Sequence, residues 1–252
     1  MYVRRSELLA VLVLLPACGS QPDEALLAVQ EGRAREAALA GSPTVSATLL
    51  LTAVTVEACA DQAGLWADAA VGGAAPLSDP LSALLGYPTV SEFTRTDAHT
   101  AEMVLDGVSL WDHSDVSLSL NAQGDGSAMQ MDIAADSGET SFAALSLEVA
   151  NGCIDVPRVT ATSTWDQDDG SEETVKFPVG ESPLFFQGPA PWLPSAGDLV
   201  WEGQVRTVAN SMTTDDASTM TVDSSGDLPV ASWPATVSYQ THSVQTDLPV
   251  AF

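Results

Sequence analysis

From about Thr89 onward the chain alternates apolar and polar positions. Leu118 and Leu120 take one parity while Ser117 and Ser119 take the other. Met129, Met131 and Ile133 are separated by Gln130 and Asp132, and Leu145, Leu147 and Val149 by Ser146 and Glu148. Val175, Phe177 and Val179 flank Lys176; farther on, Leu199, Trp201 and Val205 interleave with Val200, Glu202, Gln204 and Arg206. Period two, with one apolar and one polar parity, predicts half-buried antiparallel strands. Turn-forming clusters at 121–126, 136–139, 166–173 and 224–227 divide them. About ten short strands joined in this way predict a meander sheet that closes into a barrel or a sandwich.

Elsewhere the pattern changes. Residues 178–194 include Pro183-Leu184-Phe185-Phe186-Gln187-Gly188-Pro189-Ala190-Pro191-Trp192-Leu193-Pro194. That many prolines exclude a central strand and predict an extended arm or a boundary between sheet halves. Phe185, Phe186 and Trp192 form the largest apolar cluster outside the alternating strands. Left exposed, they would make a ligand or partner surface; folded back, they would cap an open end of the core. Ahead of the sheet, Asp23 and Glu24 open a helix over 25–40, which Gly41 and Pro43 stop. The helix reads as a spacer or as a lid on the sheet. Residues 46–58, with Leu49-Leu50-Leu51 and Val54-Thr55-Val56, predict a strand running into Cys59. Residues 60–90 are rich in Ala, Gly and Pro, with one helical turn at Leu81–Leu85. The expected architecture is mainly β: an antiparallel meander sheet with one short N-terminal helix. Its divisions are a leader at 1–17, a helix or spacer at 18–45, and a single β-rich domain at 46–252 carrying the Pro-rich arm at 178–194.

Charge narrows the partners. The chain has 8 Lys+Arg against 34 Asp+Glu, a net charge of −26. Losing Arg4, Arg5 and Glu7 with the leader takes the balance to −27. Such a surface repels phosphate backbones and anionic headgroups, which argues against nucleic acid and against a basic membrane patch. The remaining readings are solubility in a salty exterior or binding of cations.

The N-terminus supplies an address. Arg4 and Arg5 precede Leu8-Leu9-Ala10-Val11-Leu12-Val13-Leu14-Leu15, an apolar run too short to span a bilayer and suited to a signal peptide. The following Leu15-Pro16-Ala17-Cys18 resembles the lipobox of bacterial lipoproteins: an aliphatic residue, then a small residue, then the cysteine that becomes the first mature residue. The resemblance covers the leader alone. It implies a diacylglycerol thioether on Cys18 and cleavage before it, and Gly19 resembles the outer-membrane form of the signal. Pro16 departs from the usual pattern, and Ala17-Cys18-Gly19 also fits an ordinary A-x-A-like cleavage site. Either reading exports the protein. Export keeps disulfides oxidised, so with Cys18 acylated the remaining cysteines predict a Cys59–Cys153 bridge, against two buried free thiols.

Candidate chemistry is thin. No G-x-S-x-G occurs, and His242 with some Ser and Asp makes a triad only by chance composition. Asp97-x-His99 and Asp112-His113-x-Asp115 offer imidazole and carboxylate ligands, so Asp97, His99, His113 and Asp115 are weak metal candidates. Alternation alone accounts for them as exposed hairpin positions. Asp166-Gln167-Asp168-Asp169-Gly170 and the 121–126 segment resemble calcium loops but read better as Asx/Gly turns. Trp111, Trp165, Trp201 and Trp233 fit core or rim positions. The terminal Val244-x-Thr246-x-Leu248-x-Val250-x-Phe252 resembles the closing strand of an outer-membrane barrel, although Pro249 and the polar strands oppose that.

The expectation is a non-catalytic binding or structural lipoprotein of the bacterial envelope, with no cofactor. It would be held at the outer membrane by lipid, with an envelope protein or a small apolar ligand as its partner. The alternatives are a β-barrel carrier of a small apolar ligand and a metal-dependent hydrolase. A carrier needs an internal pocket, and a hydrolase needs its histidines together.

Overall fold

The computed structural model describes residues 21–61, 65–110, 113–125, 128–138, 140–150, 157–168, 170–178, 184–187, 193–207, 212–223, 232–239 and 242–249. Helix α1 spans Gln21–Ala60 and the short α2 spans Asp79–Leu84. Twelve strands follow: β1 Thr89–Arg95, β2 Thr100–Leu110, β3 His113–Gly124, β4 Met129–Ser137, β5 Thr140–Ala150, β6 Arg158–Asp166, β7 Glu172–Phe177, β8 Leu184–Gln187, β9 Leu193–Thr207, β10 Met212–Asp223, β11 Ser232–Tyr239 and β12 His242–Pro249. They form one antiparallel meander in chain order, except that β8 pairs with β6 and β9 while β7 pairs directly with β9. The protein is therefore mainly β.

The predicted parity holds across the middle of the sheet. Leu118, Leu120, Met131, Ile133, Leu145, Leu147, Val175, Phe177, Leu199 and Trp201 are all buried, and their neighbours Ser119, Asp132, Ser146 and Lys176 are exposed. Phe142 and Ala143 are both buried although adjacent. A bulge between Ala135 and Asp136 of the β4–β5 ladder sets the extra residue there.

The helix corrects the sequence reading. Gly41 and Pro43 do not end it: α1 is 40 residues long and carries Pro43 inside. Residues 46–58, expected as a strand, are its inner half. Gly41–Ala60 is long and apolar enough to cross a membrane, yet it is 83% buried within the protein as its core helix. Beyond Gly41 the helix is buried on all sides, with Val45, Leu49, Leu50, Leu51, Val54 and Val56 at 4% exposure or less. A helix enclosed all round must be apolar all round, which erases the amphipathic period that betrays surface helices. Its threonines hide their hydroxyls by donating to carbonyls one turn back: Thr48 to Thr44 O at 2.8 Å, Thr52 to Thr48 O at 2.7 Å and Thr55 to Leu51 O at 3.1 Å.

The sheet wraps this helix. α1 touches β4, β5, β6, β7, β9, β10, β11 and β12. The segment between α1 and β1 also enters the core, through Leu65, Trp66, Leu81 and Leu85. It is tied to the helix by Glu57, whose carboxylate accepts the Ser78 N–H at 3.0 Å and the Ser78 hydroxyl. The interior enclosed by the sheet is filled by the second half of α1.

Candidate functional site: a groove on the outer face of β1–β6

The alternation that buries one parity lays the other out in cross-strand rows. Registers place Glu92, Val104, Ser119, Ala134, Ala144 and Thr164 side by side on β1 to β6. The neighbouring row is Thr94, Glu102, Asn121, Asp132, Ser146 and Thr162, continuing to Lys176 on β7. As far as β6, the two rows together line an open groove of about 730 Å³ on the outer face of the sheet, and Lys176 lies outside it. A twisted sheet is saddle-shaped, so a face that is convex around the helix is concave along the other diagonal. The small side chains of the first row deepen that hollow. Glu92, Glu102 and Asp132 are its charged groups, and no Lys or Arg lines it. A smaller cleft of about 530 Å³, holding His99, Gln123, Gln130 and Glu148, lies one outward row farther along β3 to β5.

The metal candidates do not converge. His99 lies just before β2, where its Nδ1 is 2.9 Å from the Gly124 carbonyl oxygen and its backbone N–H donates to Asp97 Oδ1 at 2.7 Å. That N–H holds the Asp97 carboxyl below its ordinary pKa. His113 opens β3 opposite Leu110, at the far end of the same ladder, stacked on Phe142 at 4.4 Å. The length of β2, roughly 30 Å at 3.3 Å per residue, separates the two imidazoles. Asp115 sits beside His113 with φ of +58°. Among the described residues no three His, Cys, Asp or Glu side chains are grouped to hold a metal.

The acidic loop at 166–170 is a tight hairpin turn, closed by Gln167 N–H to Ser171 O and Gly170 N–H to Gln167 O, both at 2.9 Å. Phe186, a candidate either for a partner surface or for a cap folded back on the core, is fully buried against Phe177 with ring centroids 6.3 Å apart. Phe185 is half-buried, on a strand wedged between β6 and β9. The short strand Leu184–Gln187 pairs on both sides, and burying the Phe186 ring removes its apolar surface from water. Trp111, Trp192, Cys18 and Cys153 lie outside the described residues, as do the side chains of Trp233 and His242. Cys59 is buried near the end of α1. The outward parity of β2 to β7 is polar, the reverse of a membrane barrel, whose apolar band faces lipid.

Sequence reasoning missed one group. Glu173 falls in the stretch expected as a turn, but it belongs to β7, points inward and is 6% exposed. Its carboxylate accepts the Thr44 hydroxyl of α1 and the Trp201 indole N–H at 3.3 Å. Beside it, Thr48 lies 2.8 Å from the Ser163 hydroxyl and accepts the Trp165 indole N–H at 3.0 Å. The parity of Val175 and Phe177, carried back two residues, would have found it. This buried polar seam ties helix to sheet, whereas the groove is open to solvent. No protein-family model, curated protein or solved structure matches the chain.

Proposed function

We propose that this is an exported bacterial envelope lipoprotein whose β domain binds a partner without catalysing a reaction. The observation that carries the reading is the division of α1. Its first half has exposed Leu27, Val29, Glu31, Arg35 and Leu39, and its second half is the core of the domain. One continuous helix thus runs into the fold from Gln21, shortly after the lipobox-like Cys18 in sequence. Twenty helical residues make a stalk of about 30 Å, which would hold the domain clear of a bilayer. Acyl chains on Cys18 would provide the attachment, since each buried methylene contributes about 0.8 kcal/mol and the acidic surface offers no basic patch.

The outer-face groove is the binding surface in this reading. The path of the sheet around α1 favours a barrel over a sandwich, because a sandwich buries sheet against sheet and this one buries sheet against helix. The Cys59–Cys153 bridge belongs to the same reading. The test is fractionation: Cys18→Ser is expected to move from the membrane to the soluble fraction, and its retention on membranes would sink the tether.

A further inference from the structure

We propose that the groove receives an extended, lysine- or arginine-rich segment of another envelope polypeptide; this deepens the binding role above and rests on it. The floor is Val104, Ser119, Ala134, Ala144 and Thr164, in register across β2 to β6. None is larger than valine, so a polypeptide backbone can come close. On the same strands, two residues to either side, stand Glu102 and Asp132, which line the groove, and Asp106 and Asp136, which flank it one row beyond its lining. Same-face rows are about 6.6 Å apart, so the flanks stand about 13 Å apart, and strands two apart place their carboxylates about 10 Å from each other. The Ser117 hydroxyl donates to Asp106. The cation nearest in register, Lys176 beside Thr162, faces Glu202 at 3.7 Å.

The result is a channel of methyl groups and hydroxyls running between two acidic flanks. An extended peptide crosses β2 to β6, a span of about 19 Å, in about six residues and sends successive side chains to opposite sides. Basic side chains on both sides would then meet carboxylates on both flanks. A chain of net charge −26 attracts any cation; the elongated small-residue floor is what favours a peptide over a compact ion. Anionic bilayers are repelled by the same charges.

The test uses full-length protein in detergent micelles and a fluorescent peptide of alternating lysine and valine, about eight residues long to overhang the groove. Saturable binding is expected, weakened about tenfold or more by Glu102→Gln with Asp132→Asn. Ala144→Tyr, which fills the floor without changing charge, is expected to abolish it. Ala134→Tyr makes the same test should Ala144→Tyr lose its circular dichroism spectrum. Asp68→Asn with Asp168→Asn, both exposed and outside the lining, should leave affinity unchanged. The proposal is overturned if the wild type shows no saturable binding, if the two charge pairs weaken it equally, or if the floor variants bind normally. Spermine binding that is lost in the floor variants would also overturn it, assigning the groove to a small polyamine. None of these measurements depends on Cys18 acylation, so a failed groove and a failed tether are told apart.

Discussion

Trp201 shows how tightly single residues are set. A Cβ added at Gly41 would come within 2.5–2.7 Å of three atoms of its indole, and one at Gly203 would stand 2.7 Å from the same ring. The two glycines leave room for the ring between helix and strand, so Gly41 is a close-approach residue and not a helix stop. Gly41→Ala should raise helix propensity by about 1 kcal/mol yet lose about 1–3 kcal/mol to overpacking, a net destabilisation visible in denaturant melts. Asp97 makes a different kind of prediction. Its pKa is lowered by the His99 N–H, so that bond contributes fully above the ordinary aspartate pKa of about 4 and is lost as pH falls through the lowered folded value. The His99 amide resonance should therefore report the Asp97 titration as a step in acid, and Asp97→Asn should remove that step.

At the scale of elements, α1 is where local preference and tertiary structure part. Its β-branched run disfavours helix by a few tenths of a kcal/mol per residue. Burial inside the sheet returns about 25 cal/mol for each Å² of apolar surface, which outweighs that cost over twenty enclosed residues. The threonine hydroxyls then decide how the helix sits. Thr48→Val would leave the Trp165 indole N–H without its acceptor and should destabilise by about 1–3 kcal/mol. Among the described residues the Thr52 hydroxyl bonds only the Thr48 carbonyl of its own helix, so Thr52→Val should cost less than about 1 kcal/mol. Equal losses in thermal or chemical melts would show that the seam to β6 does not orient α1. The strands were far more readable. Their period survives because one face is wet, whereas the inner half of α1 has no wet face to contrast with.

For the whole molecule, the proposed export makes the cysteines testable. A Cys59–Cys153 bridge closes a long loop and should stabilise by about 4–5 kcal/mol, on the entropy of the unfolded chain. Intact mass before and after reduction should differ by two hydrogens, and reduction should lower the melting temperature; an unchanged mass with two alkylatable thiols would remove the bridge. The groove was not legible as a unit. Ser119, Ala134, Ala144 and Thr164 look like scattered small residues in the chain, and only strand register brings them into one row.

By itself, the sequence determined the mainly β class and the parity of the sheet, because alternation is a local property. Tertiary structure decided that the Leu49-Leu50-Leu51 run is helix, that Phe186 and Glu173 face inward, and that His99 and His113 stand at opposite ends of one ladder. Those outcomes depend on what each residue meets from distant parts of the chain. A fully buried segment reads the same to its neighbours in sequence whether it is coiled or extended; only the sheet around it selects the coil.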